Sequence, residues 1–218
     1  NRIEMNDYNY PRHEYRKYRL EEGDLPLHPV ELFEKWLMEA FGHDLPEPTA
    51  MTLATANSAG RISSRIILLK GFDTGGFQFY TNYKSHKGRD LEENPHAAVS
   101  FFWPELERQV RIEGSVQKIS ERDSDLYHAA RPRNNQLGAW ASEQSAPIKD
   151  RRTLEGQYEA VKKAFRDHDQ IPRPEHWGGY RLTPERIEFW QGRENRLHDW
   201  IEYESGSSGR WSRQRLNP

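Results

Sequence analysis

The alternation of apolar and polar residues divides the chain into one amphipathic helix followed by a series of short strands. After Pro29, apolar residues recur at helical spacing as far as Phe41, which predicts a helix with one face on a core. From Ala50 onward, short β-branched or aromatic segments are separated by turn residues. The predicted strands are 50–56, 62–70, 77–81, 97–103, 109–113, 186–191, 197–204 and 210–216.

Further helices are expected between these strands. One begins after Ser85, and another follows Ser120, which forms a capping-box pattern with Asp123. A third, polar helix is expected over 154–165. Short strands at this spacing predict a mainly β fold with peripheral helices, built on a small antiparallel Greek-key barrel. We expect a single domain over 25–218, preceded by an arm over 1–24 in which arginines and tyrosines alternate without a clean period. Taken alone, the arm's residues favour a solvated tail.

Composition narrows the class of protein. Only 34% of residues are hydrophobic and mean hydropathy is −1.05, but a net charge of −2 and the 7 Trp, 10 Tyr and 9 Phe favour a compact fold over disorder. The chain has no cysteine, which excludes disulfides, thiolate metal ligands and a cysteine nucleophile. The longest apolar run, 66–69, is too short for a membrane span, and a pI near 6.6 argues against nucleic-acid binding. We expect a cytoplasmic protein without membrane or nucleic-acid partners.

The candidate chemistry is anion binding. No dinucleotide, P-loop, zinc-protease or nucleophile-elbow motif is present, and no pair of histidines has metal-binding spacing, so no metal is expected. Basic residues instead group around Arg65 and Lys70, around Arg131, and around Arg193, and Lys87 lies at the start of a predicted helix. Basic side chains beside a helix N-terminus suit phosphate. The competing interpretation is ordinary surface charge.

Several motifs resemble the pyridoxine/pyridoxamine 5′-phosphate oxidase family. They run in order from about Arg12 to the last residue: RIILLKGF at 65–72, FYTNY at 79–83, SHKG at 85–88, ERQVR at 107–111, RP at 131–132, QLGAW at 136–140, QS at 144–145, WGGY at 177–180, EFWQG at 188–192, RLHD at 196–199 and RLNP at 215–218. The resemblance implies an FMN-binding split β-barrel that forms a homodimer through its C-terminal strands, with FMN at the subunit interface. It also implies oxidation of pyridoxine or pyridoxamine 5′-phosphate to pyridoxal 5′-phosphate, with O₂ as acceptor and hydrogen peroxide as product.

The resemblance also implies roles for individual residues. The expected FMN contacts are Arg65, Ile66, Ile67, Leu68, Leu69, Lys70, Tyr80, Thr81, His86, Lys87, Gln109, Gln144, Ser145, Trp190 and Trp200. The expected substrate contacts are Arg12, Tyr15, Lys70, Tyr127, Arg131, Asn135, Arg196, Leu197 and His198. Among these, Arg196 and His198 would face the substrate ring as catalytic residues, and Arg12 and Tyr15 would belong to a mobile cover over the site.

Three positions depart from the family pattern. The family usually has Arg where this chain has His86 and Trp200, and Ser where it has Asn135. An imidazole loses its charge near neutral pH, so His86 predicts FMN affinity that falls as pH rises. Trp200 has one N–H donor and no charge, which predicts weaker FMN binding and slower turnover with the fold retained.

Two competing functions stay open. The first is that of a non-catalytic relative that binds FMN or pyridoxal phosphate, which Trp200 and His86 support and the retained substrate residues oppose. The second is that of a split-barrel flavin reductase with another substrate, which leaves the basic group at Lys70, Tyr127 and Arg131 unexplained.

Overall fold

The structure is a computed structural model that describes residues 14–43, 45–206 and 209–218. Its helices are α1 (Pro29–Gly42), α2 (His86–Glu93), α3 (Glu121–Ala130), α4 (Arg133–Ala141) and α5 (Arg151–Ala164). Its strands are β1 (Ala50–Ala56), β2 (Ile62–Leu68), β3 (Gly71–Asp73), β4 (Gly76–Asn82), β5 (His96–Trp103), β6 (Arg108–Lys118), β7 (Trp177–Gln191), β8 (Asp199–Ser205) and β9 (Trp211–Arg215). The mainly β architecture with peripheral helices is as predicted.

One antiparallel sheet contains all nine strands, in the order β2-β1-β5-β6-β7-β4-β3, with β8 on β7 and β9 on β8. The sheet divides at β7, whose first half pairs with β4 and whose second half pairs with β8. Opposite this division, the β6–β7 register shifts between Glu113 and Gly114. A Cβ on Gly114 would lie 2.0 Å from the Thr183 carbonyl oxygen, so the close approach of the two backbones requires glycine. The sheet therefore forms a split, curled half-barrel.

The core lies between the inner face of the sheet and α1. Phe33 of α1 is fully buried, and its ring centroid lies 5.0–5.1 Å from those of Phe72, Phe77 and Phe101. Rings thus supply much of the core, in agreement with the high aromatic content.

The predicted elements are mostly present, but several bounds differ: β2 ends at Leu68 instead of residue 70, the short β3 was not expected, and β6 continues to Lys118 instead of ending at residue 113. Helix α4 was not expected, and β7 begins at Trp177 rather than at residue 186, because Thr183 and Pro184 lie within the strand at the register shift. The strand expected from residue 197 begins at Asp199 instead. Leu197 and His198 precede β8 in a turn where Asn195 and Arg196 have φ of 56° and 64°, which a strand does not allow.

The arm is packed at its C-terminal end. Leu20 is 2% exposed, and its amide donates to Asp199 Oδ2 at 3.0 Å. Residues 1–13, including Arg12, lie outside the described part of the chain, so the boundary between arm and domain stays a prediction. Among the described residues, no helix has the length and apolar character that a bilayer span needs.

Candidate functional site

A cavity of about 890 Å³ opens between β2, β4, α2, α3 and α4, in the upper range of small-molecule sites. It brings together most of the residues expected to contact FMN or substrate: Arg65, Ile66, Ile67, Leu68, Lys70, Tyr80, Thr81, His86, Lys87, Tyr127, Arg131, Asn135, Gln144 and Ser145. It is also lined by residues that the sequence did not single out: Ser63, Ser64, Asn82, Ala130, Pro132 and Trp177.

Lys87 forms the centre of one end of this cavity. Ser85 caps α2, so Lys87 lies in the first turn of the helix, and its side chain is only 6% exposed. Its Nζ donates to Thr81 Oγ1 at 3.0 Å, Ser85 Oγ at 3.1 Å and Gln144 Oε1 at 3.3 Å. Burial, with the Arg65 charge as a smaller cause, lowers the pKa of Lys87 to about 8. An anion at this point would relieve the cost of the buried charge.

Arg65 and His86 flank Lys87 and share one acid. Arg65 donates to Thr55 Oγ1 at 2.7 Å and Ser63 Oγ at 2.5 Å, and its Nη2 lies 3.9 Å from Asp90 Oδ2. His86 Nε2 lies 3.5 Å from Asp90 Oδ1. Asp90 is 3% exposed, and burial alone would raise its pKa, but hydrogen bonds from Thr55 and Ser63 outweigh that effect and lower it. Asp90 is therefore an ionised anchor for the two cationic side chains.

A second cationic group in the lining of this cavity lies against stacked aromatic rings. Arg131 Cζ lies 4.5 Å from the Trp177 ring centroid, and Arg131 Nη1 is buried with no hydrogen-bond partner among the described residues. Tyr80 and Tyr127 stack at 3.7 Å, and both lie nearly parallel to Trp177. Burial raises the pKa of both tyrosines, so each keeps its phenol proton. A partly buried guanidinium with one buried, unused donor suits an anionic partner from outside the chain.

The neighbouring Arg133 is directed elsewhere. Its guanidinium donates to the carbonyl oxygens of His168 at 2.9 Å and Phe165 at 2.6 Å. Arg131 and Arg133 are therefore close in the sequence, but only Arg131 lines the cavity.

The wall formed by β2 offers backbone as well as side chains. β2 is at one edge of the sheet, and Ile66 is 66% exposed. An edge strand presents backbone N–H and C=O groups that can bond to a ring system. Leu69, expected among the FMN contacts, does not line the cavity: its side chain is 4% exposed and packs in the core.

Three of the remaining predicted residues form a cluster outside this cavity. Tyr15, Trp190 and His198 pack together, with ring centroids 4.6–5.8 Å apart. His198 Nδ1 accepts a hydrogen bond from the Arg193 amide at 3.0 Å, which leaves Nε2 as the protonated nitrogen. Burial and then the Arg196 charge lower the pKa of His198.

The loop before His198 is strained and exposed. Arg196 has a left-handed φ of 64°, which costs a residue other than glycine about 1 kcal/mol. Arg196 and Leu197 are both exposed, and Leu197 is 70% accessible. Strain of this kind concentrates at functional sites.

Cross-strand register places three of the predicted FMN contacts in one row. Phe102 pairs with Gln109, Gln109 with Trp190, and Trp190 with Trp200, so the four side chains share the outward face of the sheet. The Trp200 indole N–H donates to Glu188 Oε2 at 3.1 Å, so its single donor is already engaged.

The chain matches two family models. Residues 37–165 match the model described as pyridoxamine 5′-phosphate oxidase, and residues 177–218 match the pyridoxine 5′-phosphate oxidase C-terminal dimerisation region. The chain belongs to the pyridoxamine 5′-phosphate oxidase family. The dimerisation region, which contains β7, β8 and β9, supports a homodimer.

Individual relatives agree with this family. Pyridoxine/pyridoxamine 5′-phosphate oxidase of Burkholderia lata is 53% identical over 206 residues, covering 94% of this chain and 95% of the relative. The oxidase of Salinibacter ruber is 51% identical over 208 residues, covering 95% and 97%. The family supports an oxidoreductase activity for this chain.

Solved structures show the same fold. PhzG from Burkholderia lata, crystallised with tetrahydrophenazine-1-carboxylic acid, has a TM-score of 0.87 at 33% identity, covering 94% of this chain and all of PhzG. An FMN-binding, pyridoxamine 5′-phosphate oxidase-related protein from Nostoc punctiforme has a TM-score of 0.72 at 20% identity, covering 89% of this chain and all of that protein, and shows the fold alone. In the described part of our chain, no cluster of His, Asp and Glu side chains could hold a metal ion.

Proposed function

We propose that this protein is an FMN-dependent oxidase that converts pyridoxine or pyridoxamine 5′-phosphate to pyridoxal 5′-phosphate. The single observation that carries this proposal is that the lining of one cavity includes two cationic groups on different elements, the Lys87 end on α2 and the Arg131 end directly after α3. Two phosphate-bearing molecules that meet in one site require such an arrangement.

The Lys87 end fits the FMN phosphate. It combines a buried ammonium, the neighbouring Arg65 and His86, and the first turn of α2, whose dipole favours an anion. The edge of β2 then provides backbone groups and apolar side chains for a flat ring, at Ile66 to Leu68. The residues present therefore fit the cofactor that the family resemblance implies.

The Arg131 end fits the phosphate of the substrate. Arg131 Nη1 lacks a partner within the described chain, and Tyr127, Asn135 and Lys70 line the same cavity with further donors. The Tyr127 phenol keeps its proton because burial raises its pKa. Asn135 supplies an amide donor where the family usually has a serine hydroxyl.

A second copy of the chain would complete the site. The row Phe102, Gln109, Trp190 and Trp200 faces outward, and Phe102 and Ile66 are 57% and 66% exposed on that side. The small residues Ala98 and Ser100 lie on the same face of β5 as Phe102 and permit close approach of another sheet face. We place the homodimer interface on this face, so that the row and the Tyr15, Trp190 and His198 cluster of one copy cover the cavity of the other.

The chain's own residues then bind and orient the substrate while the cofactor supplies the redox chemistry. The chemistry supplied by bound FMN is acceptance of a hydride from the substrate C4′, with O₂ as final acceptor and hydrogen peroxide as by-product. Neutral His198, with its proton on Nε2, and Arg196 are donors that can hold the substrate ring by its oxygen or amine substituents. The aromatic cluster excludes water from the reacting face.

The test is a visible absorbance spectrum. Purified protein is mixed with FMN, desalted, and made anaerobic before pyridoxamine 5′-phosphate is added. We expect retained flavin absorbance that bleaches on addition, with pyridoxal 5′-phosphate formed in equal amount. Flavin that is retained but stays oxidised would instead support a non-catalytic FMN-binding relative.

Control compounds distinguish the proposed substrate from those of related flavoproteins. Unphosphorylated pyridoxamine should react poorly, because nothing then occupies the Arg131 end. Tetrahydrophenazine-1-carboxylic acid, the ligand seen with PhzG, carries a carboxylate instead of a phosphate. Faster bleaching with that compound, or with a nicotinamide donor as in a flavin reductase, would refute the proposed substrate.

A further inference from the structure

Arg108 is buried between two aromatic rings that come from distant parts of the chain. Its side chain is nearly inaccessible, and its Cζ lies 4.5 Å from the ring centroid of Tyr18 and 4.5 Å from that of Trp36. Trp36 belongs to α1 and packs in the core, whereas Tyr18 belongs to the arm. The guanidinium thus joins the arm to the barrel.

Hydrogen bonds fix the guanidinium in this position. Its Nε donates to Gln191 Oε1 at 2.8 Å, and its Nη1 pairs with Glu39 of α1. Gln191 is fully buried and donates in turn to the carbonyl oxygens of Leu106 and Glu107 at 3.2 Å. A planar guanidinium can stack on both rings and keep these in-plane bonds, which an ammonium cannot do.

The arm makes a second attachment at the same corner of the sheet. The Lys17 amide donates to Glu107 Oε2 at 3.1 Å, and Lys17 Nζ donates to the Glu105 carbonyl oxygen at 2.5 Å. The Glu107 carbonyl oxygen accepts from the Gly192 amide at 2.7 Å. The corner that holds the arm therefore also holds the end of β7.

Tyr15 lies three residues before Tyr18, and between them Arg16 Nε pairs with Glu194 Oε1 at 2.5 Å. The Tyr15 ring packs directly on Gly192, where a Cβ would come within 2.6 Å of Tyr15 Cγ. The same ring contacts Trp190 and His198 edge-on. Arg108 and Gln191 are paired across β6 and β7, immediately beside the pair Gln109 and Trp190 of the outward row.

We infer that Arg108 is a positioning residue for the reaction: through Tyr18 it fixes the arm so that Tyr15 covers the His198 side of the active site. This inference rests on the proposed function for its kinetic consequences only. Arg108 itself lines neither the cavity nor the aromatic cluster, so it acts through Tyr18 and Tyr15 rather than on substrate.

The test uses Tyr18 and not Arg108. Removal of the buried Arg108 would leave Glu39 without its ion-pair partner and could unfold the protein. Tyr18→Ala removes one ring of the stack, and Tyr18→Phe keeps the ring as the matched control. Limited trypsin digestion reports the arm directly through the Arg19–Leu20 bond, where Leu20 is buried. We expect cleavage of that bond to be about tenfold faster in Tyr18→Ala, in line with loss of a desolvated cation–π contact, and unchanged in Tyr18→Phe.

Kinetics test the consequence for the site. We expect KM for pyridoxamine 5′-phosphate to rise about tenfold in Tyr18→Ala and in Tyr15→Ala, and no further in the double variant, with little change in kcat. Unchanged trypsin cleavage in Tyr18→Ala, or additive effects in the double variant, would overturn the inference. The digestion requires no substrate, so a protein without oxidase activity would still give a clear answer about the arm.

Discussion

The buried charge of Lys87 leads to a specific pH dependence of FMN binding. Its pKa is lowered to about 8, chiefly by burial, whereas the ordinary lysine value is 10.5. Protonated Lys87 attracts the FMN phosphate and neutral Lys87 does not. Affinity should therefore be full below about pH 8 and fall as pH rises through it.

The magnitude follows from the proton linkage. The protonated fraction of Lys87 in the free protein falls from about 90% at pH 7 to about 10% at pH 9. If the bound phosphate holds the proton throughout that range, Kd for FMN rises about tenfold over the same two pH units. Arg65 stays charged across this range, so it does not contribute to the change of Kd with pH.

Quenching of FMN fluorescence on binding gives Kd at each pH. The control is Lys87→Arg, which keeps a permanent cation and should flatten the profile between about pH 7 and pH 9. If Kd for FMN stays constant across this range in the unsubstituted protein, Lys87 does not bind the FMN phosphate.

Three further substitutions, the last with a matched control, test other parts of the site. Trp200→Arg should tighten FMN binding about tenfold to a hundredfold by adding a charge-assisted donor, and an unchanged Kd in fluorescence titration would show that Trp200 has no part in FMN affinity. His86→Arg should tighten FMN binding, because a permanent cation then replaces the imidazole that lies 3.5 Å from Asp90 beside Lys87, and an unchanged Kd would show that His86 has no part in FMN affinity. Arg131→Met should raise KM for pyridoxamine 5′-phosphate about tenfold to a hundredfold without changing Kd for FMN. The control is Arg133→Met, which should leave KM within about twofold, because the Arg133 guanidinium bonds to backbone carbonyl oxygens outside the cavity. Equal effects of the two arginine variants would contradict the role of Arg131.

Local patterns predicted the fold because most of its elements are locally determined. The helical spacing after Pro29 and the Ser120 capping box both correspond to observed helices. The Ser120 hydroxyl accepts from the Asp123 amide at 3.0 Å, as the pattern requires. β7 was harder to predict, because Pro184 within it is a strand breaker that only the register shift opposite Gly114 accommodates.

The sequence predicted which residues belong to the site only where residues that are close along the chain line the same part of it. The resemblance named residues of the cavity, but it did not separate them from the row formed by Gln109, Trp190 and Trp200. That separation depends on pairing between β6, β7 and β8, which local sequence does not encode. Trp177 was missed as a cavity residue because its contact with Arg131 joins β7 to the end of α3. Its place beside the two glycines of WGGY, which allow close packing against Tyr83 and Tyr80, was the available signal.

The central claim is that the cavity of one copy and the aromatic cluster of the other form a single oxidase site. The most direct test co-expresses two impaired variants, Arg131→Met in the cavity and Arg196→Met beside the cluster, and measures peroxide and pyridoxal 5′-phosphate formation at a substrate concentration far below the KM of Arg131→Met. Random pairing gives half of the dimers one intact site, so activity should recover to about one quarter of the parental value. A mixture as inactive as either variant alone would contradict a site shared between two copies.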